Sequence, residues 1–206
     1  MDRETEARAL RHAGRAGAEV NAGSQESSGE ETAIIALGSN VGDSVGIIYA
    51  AFEKLQRFSN ESIRRSSLWQ STPVDCPLGS PSFVNAAAVL TPLSDETPES
   101  LLAKLQALEK EFGRRRKVVL NEPRPLDLDL IAFGNEVRNT PKLILPHPRA
   151  HLRRFVLQPL SEVAPDFVLP GQKQTIAQLL AALPPGEQVE LLKRAAGILP
   201  GSGSGR

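Results

Sequence analysis

Between residues 123 and 130 the chain reads Pro-Arg-Pro-Leu-Asp-Leu-Asp-Leu, and Ile131 follows. The two prolines hold the backbone extended and remove two N–H donors. The chain then alternates apolar and acidic residues with the period of a β-strand. On that strand Leu126, Leu128 and Leu130 face a core, while Asp127 and Asp129 share the opposite face with Cα atoms roughly 6.5–7 Å apart. Neighbouring like charges are unfavourable unless a cation lies between them. A hard ion such as Mg²⁺ takes one or two protein carboxylates and completes its shell with water and phosphate oxygens. The pattern therefore points to a nucleoside triphosphate site; the alternative is an edge strand with its acids in water.

The neighbourhood of this strand is cationic. Thr97-Pro98-Glu99 is a helix start, with a cap, a proline at the first position and an acid in the first turn. Leu101, Leu105, Leu108 and Phe112 form the buried stripe, Gly113 ends the helix, and Gln106 and Glu109 lie three apart on one face. Arg114-Arg115-Arg116-Lys117 comes next. A charge run is usually solvated surface, but a cationic loop beside paired acids is what a polyphosphate requires. Pro146-His147-Pro148 places a histidine where it has no apolar helix face to hide in, which favours contact with a ligand or phosphate. His151, Arg153 and Arg154 extend the basic patch, and Phe155-Val156-Leu157 returns to the core.

Upstream, Ala33-Ile34-Ile35-Ala36-Leu37 is a short apolar run ending at Gly38-Ser39-Asn40, as a central strand closing in a turn would be. The stretch Gly38 to Asp43 has no lysine and does not match P-loop spacing, so it reads as a turn. Asp43 or Ser44 caps a helix carrying Val45, Ile48, Phe52 and Leu55. A strand is expected over Ser62–Ser71, with Trp69 as a packing residue. A loop rich in proline follows through Pro81, and then a strand from Phe83 to Leu90. Asn85 interrupts that apolar strand; its amide must satisfy either the neighbouring loop or the polar edge of a ligand. Phe133 to Glu136 is a turn, Leu143-Ile144-Leu145 a short strand, Thr175 to Leu183 a helix, and Val189 to Leu192 a last segment.

Residues 1–31 hold only Leu10 and Val20 as sizeable apolar side chains and are expected to form a disordered tail; residues 196–206 form a second, flexible one, and 32–195 the folded unit. Four basic against seven acidic residues in the first tail leave the rest mildly basic, because the whole chain balances at 24 of each sign. No global field thus favours nucleic acid or an anionic membrane. The single cysteine, Cys76, excludes an internal disulfide, and no apolar run approaches the roughly 20 residues of a membrane span. With no signal-like start, a cytoplasmic protein acting on small molecules is expected.

Taken together, Ala36-Leu37-Gly38-Ser39-Asn40, Ser71-Thr72-Pro73 with Phe83-Val84-Asn85-Ala86, Glu109 to Arg116, Pro123 to Asp129, and Pro146 to Phe155 resemble, in order, the 6-hydroxymethyl-7,8-dihydropterin pyrophosphokinase family of folate synthesis. The resemblance runs from about Ala33 to Asp166. It implies an α+β ferredoxin-like sandwich, with an antiparallel sheet and helices on one face. It also implies a reaction in which the pterin hydroxymethyl oxygen attacks the β-phosphorus of ATP and AMP leaves. By the same resemblance Asp127 and Asp129 hold two Mg²⁺ ions and act in catalysis with Arg114, Arg116 and Arg124. Gln106, Arg114, Arg116, Lys117, His147 and Arg153 contact ATP. Thr72, Pro73 and Asn85 serve the pterin's polar edge, and Phe83 and Phe155 sandwich its ring.

Two departures concern loops. Asn121 stands where many members have tryptophan, after Leu120 where arginine is common, and Pro148 stands where some members have a tyrosine beside the histidine. Weaker closure of the loop before Pro123 is expected. Two other readings compete: a metal-dependent nucleotidyl- or glycosyltransferase, and a ferredoxin-like nucleic-acid-binding module. The second is disfavoured by 4% aromatics.

Overall fold

The computed structural model describes residues 32–73, 79–114 and 123–195. In chain order the elements are β1 (Ala33–Ser39), α1 (Ser44–Leu55), β2 (Arg64–Arg65), β3 (Leu68–Ser71), β4 (Phe83–Leu90), α2 (Pro98–Glu111), β5 (Asp127–Phe133), β6 (Arg138–Asn139), β7 (Ile144–Leu145), α3 (Arg154–Val163), α4 (Ile176–Ala182) and β8 (Val189–Lys193). The main sheet runs β5-β1-β4-β3-β8, all neighbours antiparallel, and β2 also pairs with β4. Within it, β1-α1-β3-β4-α2-β5 traces the β-α-β-β-α-β path of a ferredoxin-like sandwich. The expected α+β fold is present, and β5 with its two acids lies at one edge of the sheet.

Helix α1 begins where Asp43 accepts the N–H of Gly46 at 3.0 Å. Helix α2 begins at a reciprocal cap between Thr97 and Ser100 and ends before Gly113, whose φ of +88° suits glycine. Both helices lay their apolar stripes on one face of the sheet. Ile48, Phe52 and Leu55 of α1 and Leu101, Leu105 and Leu108 of α2 meet Ile35, Leu37, Leu128 and Leu130 in one core. Leu126, Leu128 and Leu130 are buried there as the alternation predicts.

The expectation of helices on one face describes α1 and α2; α3 and α4 add a layer on the other. Ile34, Ala36, Ala87, Val89 and Ile131 point to that second face and pack against Val156, Leu157, Leu160, Ile176 and Leu179. The reason is visible in β1 and β4, whose apolar residues run without alternation, so both faces need cover. Helix α3 is not expected from the sequence, in which Phe155 to Leu157 reads only as a return to the core. Pro159 inside the helix breaks the propensity pattern there. The strand expected over Ser62–Ser71 is two pieces. Between them Ser66 bonds in place of a regular rung: its N–H reaches Ala87 O at 3.0 Å and its Oγ accepts from Ala87 N at 2.8 Å.

No helix among the described residues is long and apolar enough to cross a membrane.

Candidate active site

The layer of α3 and α4 stops short of one end of the sheet and leaves a cleft of about 270 Å³. Its floor is a row of residues in register across neighbouring strands: Asp127 of β5 opposite Gly38 of β1, and Gly38 opposite Asn85 of β4. Strands about 4.8 Å apart put Asp127 and Asn85 roughly 10 Å apart across the glycine. Asp129, two residues along β5, lies opposite Ala36. A Cβ on Gly38 would come within 3.9 Å of Asn85 Oδ1, Asp127 Cβ and Phe83 Cδ1. The glycine thus keeps the floor flat between an acidic end and an amide end. Read from sequence as part of a turn, Gly38 instead lies within β1, inside the site.

At the acidic end, Arg124 Nη1 reaches both oxygens of Asp127 at 3.1 Å. Arg114 Nη1 lies 2.9 Å from Asp127 Oδ1 and also pairs with Glu109. The Pro-Arg-Pro turn is tied to the end of β1: Arg124 N–H donates to Asn40 Oδ1 at 2.9 Å, and Asn40 N–H to Arg124 O at 3.3 Å. This explains why a rigid, donor-poor segment precedes the acids. It delivers Arg124 to Asp127 without relying on a strand partner.

Charge in this end is held against burial. Burial, with Asp127 close by, pushes the Asp129 carboxyl up to about 6. Arg153, Arg124 and Arg114 oppose that rise without cancelling it. Burial likewise lifts Glu109 to about 7 despite its bond to Leu128 N–H and its partner Arg114. His147 moves the other way, down to about 4, because burial and the cations of Arg153 and Arg149 disfavour the imidazolium. Its Nδ1 accepts the N–H of Arg149 at 3.3 Å, which leaves the proton on Nε2.

The amide end is built from β3 and β4. Asn85 Nδ2 donates to Ser71 Oγ at 2.9 Å and more weakly to Trp69 O at 3.4 Å. The NH2 group of the amide is therefore satisfied within the protein, while the same side chain lines the cleft beside Ser71, Thr72 and Phe83. Phe155 and Val156, from the start of α3, form the facing wall, and the Arg153 guanidinium lies over the Phe155 ring at 5.4 Å from its centre.

Of the site residues expected from sequence, Thr72, Phe83, Asn85, Arg114, Arg124, Asp127, Asp129, His147, Arg153 and Phe155 line this one cleft. Gln106 does not; it lines an adjoining groove with Leu130, Thr140 and Leu143 that meets the cleft at Asp129 and His147. Pro73 is not among the lining residues, and Arg154 turns away to donate to Leu183 O at 3.2 Å. Arg116, Lys117, Leu120 and Asn121 lie outside the described residues. Three contributors are not expected from sequence: Arg149, the flat floor at Gly38, and the anchoring carboxylate of Glu109. A signal exists for the last, because Glu109 sits four residues after Leu105 and so beside the buried stripe of α2.

The family model described as 7,8-dihydro-6-hydroxymethylpterin-pyrophosphokinase (HPPK) matches residues 34–165 of this chain. The 2-amino-4-hydroxy-6-hydroxymethyldihydropteridine pyrophosphokinase of Haemophilus influenzae is 38% identical over 161 residues, covering 78% of this chain and 98% of that protein. The enzyme of the same name from Pseudomonas aeruginosa is 39% identical over 151 residues, 73% of this chain and 90% of its own. The folic acid synthesis protein fol1 of Pneumocystis carinii is 39% identical over 155 residues, which are 75% of this chain and 20% of that one. Among solved structures, wild-type Plasmodium falciparum HPPK-DHPS with pteroate superposes with a TM-score of 0.59 at 13% identity, covering 73% of this chain and 44% of the other. That likeness shows the fold. The chain spans nearly all of the two bacterial relatives, a fifth of the Pneumocystis protein and less than half of the Plasmodium chain.

Proposed function

This chain belongs to the 7,8-dihydro-6-hydroxymethylpterin-pyrophosphokinase family, and we propose that its cleft carries the reaction as follows. The enzyme transfers pyrophosphate from ATP to 6-hydroxymethyl-7,8-dihydropterin in folate synthesis and releases AMP. The flat pterin ring enters between Phe83 and Phe155, an arrangement in which both π-faces are covered. Asn85 and Thr72 meet its polar edge, and its hydroxymethyl group points along the floor past Gly38 toward Asp127. The observation that carries this reading is the row Asp127–Gly38–Asn85, which sets an acidic end and an amide end roughly 10 Å apart on a single flat floor.

ATP lies across the acidic end, with its triphosphate among Arg114, Arg124, Arg153 and His147 and its nucleoside toward the groove of Gln106. Arg116 and Lys117 complete the phosphate contacts in this reading. Asp127 and Asp129 offer a hard oxygen donor set, and the Asp129 carboxyl, raised chiefly by burial and next by Asp127, is one whose ionised form a bound cation would favour. They would hold two Mg²⁺ ions, which when bound neutralise charge on the phosphate oxygens. The arginines orient the chain of phosphates and carry the charge that grows on the departing AMP. The neutral His147 presents Nε2–H as a donor without adding a further cation. No strong base is needed, because position and charge stabilisation carry most of a phosphoryl transfer. Residues 32–195 form the catalytic unit, acting on two small molecules in the cytoplasm.

The test is incubation with ATP, Mg²⁺ and the hydroxymethyl-dihydropterin, followed by nucleotide analysis. AMP and a pyrophosphorylated pterin, with no free pyrophosphate at early times, are expected. Release of ADP, or of pyrophosphate with a nucleotidylated acceptor, would assign the cleft to another transfer reaction.

A further inference from the structure

The segment joining α4 to β8 lies beyond the residues matched to the family, which end at 165, yet it is bonded to both walls of the ring slot. The Glu187 carboxylate accepts the N–H of Arg154 at 2.7 Å and of Phe155 at 3.3 Å. These are the first two N–H groups of α3, and a helix leaves them without partners of its own. Arg153 at the cap position provides no side-chain bond to them. Glu187 thus acts as a cap supplied from more than 30 residues downstream, and its negative charge suits the positive end of the helix dipole. The bond of the Arg154 guanidinium to Leu183 O ties the same turn of α3 to the same segment.

The next residue serves the opposite wall. Gln188 O accepts the N–H of Thr72 at 3.4 Å, and Val189 then pairs with Ser71 in the β3–β8 ladder. Two consecutive residues therefore hold the wall that carries Phe155 and the wall that carries Thr72. A stacked ring is sensitive to the separation of its walls, because dispersion contacts fall away within an ångström.

We infer that Glu187 is a positioning residue for the aromatic slot, setting through the start of α3 the distance between Phe155 and the wall of Thr72 and Phe83. This rests on the reading of the slot as the pterin site. Glu187 touches no substrate; it acts through the backbone of Phe155.

The test uses the full chain, steady-state kinetics in both substrates, and equilibrium binding of the dihydropterin followed by its fluorescence. Glu187→Ala is expected to raise KM and Kd for the pterin about fivefold, the factor matching loss of one helix cap, while KM for ATP stays within about twofold. Glu187→Gln recovers most of the affinity, since an amide oxygen accepts the same two N–H groups. Glu187→Asp retains the charge but withdraws it by one methylene; it gives the selective rise even where the alanine variant fails to fold. In a Phe155→Ala background, Glu187→Ala adds nothing further. A lowered melting temperature with unchanged pterin affinity, an equal rise in both KM values, or a full Glu187→Ala effect in the Phe155→Ala background would each overturn the inference. Wild-type pterin affinity in Phe155→Ala alone would remove the slot reading itself, and the two failures are thereby told apart.

Discussion

The carboxylate of Glu109 accepts the backbone N–H of Leu128 at 2.8 Å, and Leu128 is the residue between the two aspartates. Strand β5 has a strand partner on one side only, so this N–H would otherwise point from a sheet edge into the packing of α2. Glu109 is 5% exposed, and it also pairs with Arg114, which reaches Asp127. One buried acid therefore sets both the backbone between the aspartates and the cation beside them. Strand β5 is an edge strand, but its acids lie in the cleft beside Arg114 and Arg124 rather than in open water, and a helix side chain closes the edge.

Glu109→Leu should orphan the Leu128 N–H and cost about 1–3 kcal/mol, whereas Glu109→Gln keeps the acceptor. The wild-type carboxyl titrates at about 7 in the folded protein, against an ordinary glutamate value of 4.5. Its contribution to stability is thus complete below 4.5 and is lost as pH rises through 7. Denaturant melts at pH 5 and pH 8 should show the wild type losing on the order of 2 kcal/mol relative to Glu109→Gln over that interval. Parallel pH profiles for the two proteins would contradict this.

Asp129 has the same sign. Its folded value of about 6 against an ordinary 3.8 means that ionising it above pH 6 destabilises the metal-free protein. Asp129→Asn should accordingly be more stable than wild type at pH 8, by about 1–3 kcal/mol, with the difference gone near pH 4. Turnover should nevertheless fall by about a hundredfold or more. Addition of Mg²⁺ alone should raise the melting temperature of the wild type and not of the variant. Equal Mg²⁺ shifts in both would exclude Asp129 as a ligand.

His147, driven down to about 4 by burial and by Arg153 and Arg149, is neutral in the folded free protein at pH 6–8. Its lowered value means a contribution to stability that is present above 6.5 and lost as pH falls toward 4. An NMR titration of the free protein should find no imidazolium for His147 above about pH 5. A midpoint near 6.5 would show the ring to be solvated.

Gly38 tests the floor. Gly38→Ala places a methyl group in ordinary contact with Asn85, Asp127 and Phe83 and should fold and retain most activity. Gly38→Val suits a strand but fills the floor of the proposed ring slot; pterin affinity should drop about tenfold or more. Calorimetry on both variants decides it, with wild-type pterin binding in Gly38→Val as the contrary outcome.

What the chain determines by itself is what is local. The alternation through Leu130, the Thr97 cap, the Gly113 stop and the unbroken apolar run of β1 each need only neighbouring residues, because propensity, capping and side-chain period act within a few positions. The blocks that carry the family resemblance are likewise contiguous, and ten of the expected site residues do line one cleft. Tertiary structure decided the rest. Whether Asn85 stands opposite Gly38, and Gly38 opposite Asp127, depends on strand register, and no single strand contains that information. Helix α3 forms across Pro159 because its apolar face packs on Ala87 and Val89 and because Glu187 caps it from afar. Glu187 looks in sequence like any other surface acid, and Glu109 is set apart only by its place beside the buried stripe of α2, which does not say what it bonds. Each acquires its role only when folding brings it to a backbone N–H that has no partner of its own, at the edge of β5 or at the start of α3, where an acceptor is required whatever its distance along the chain.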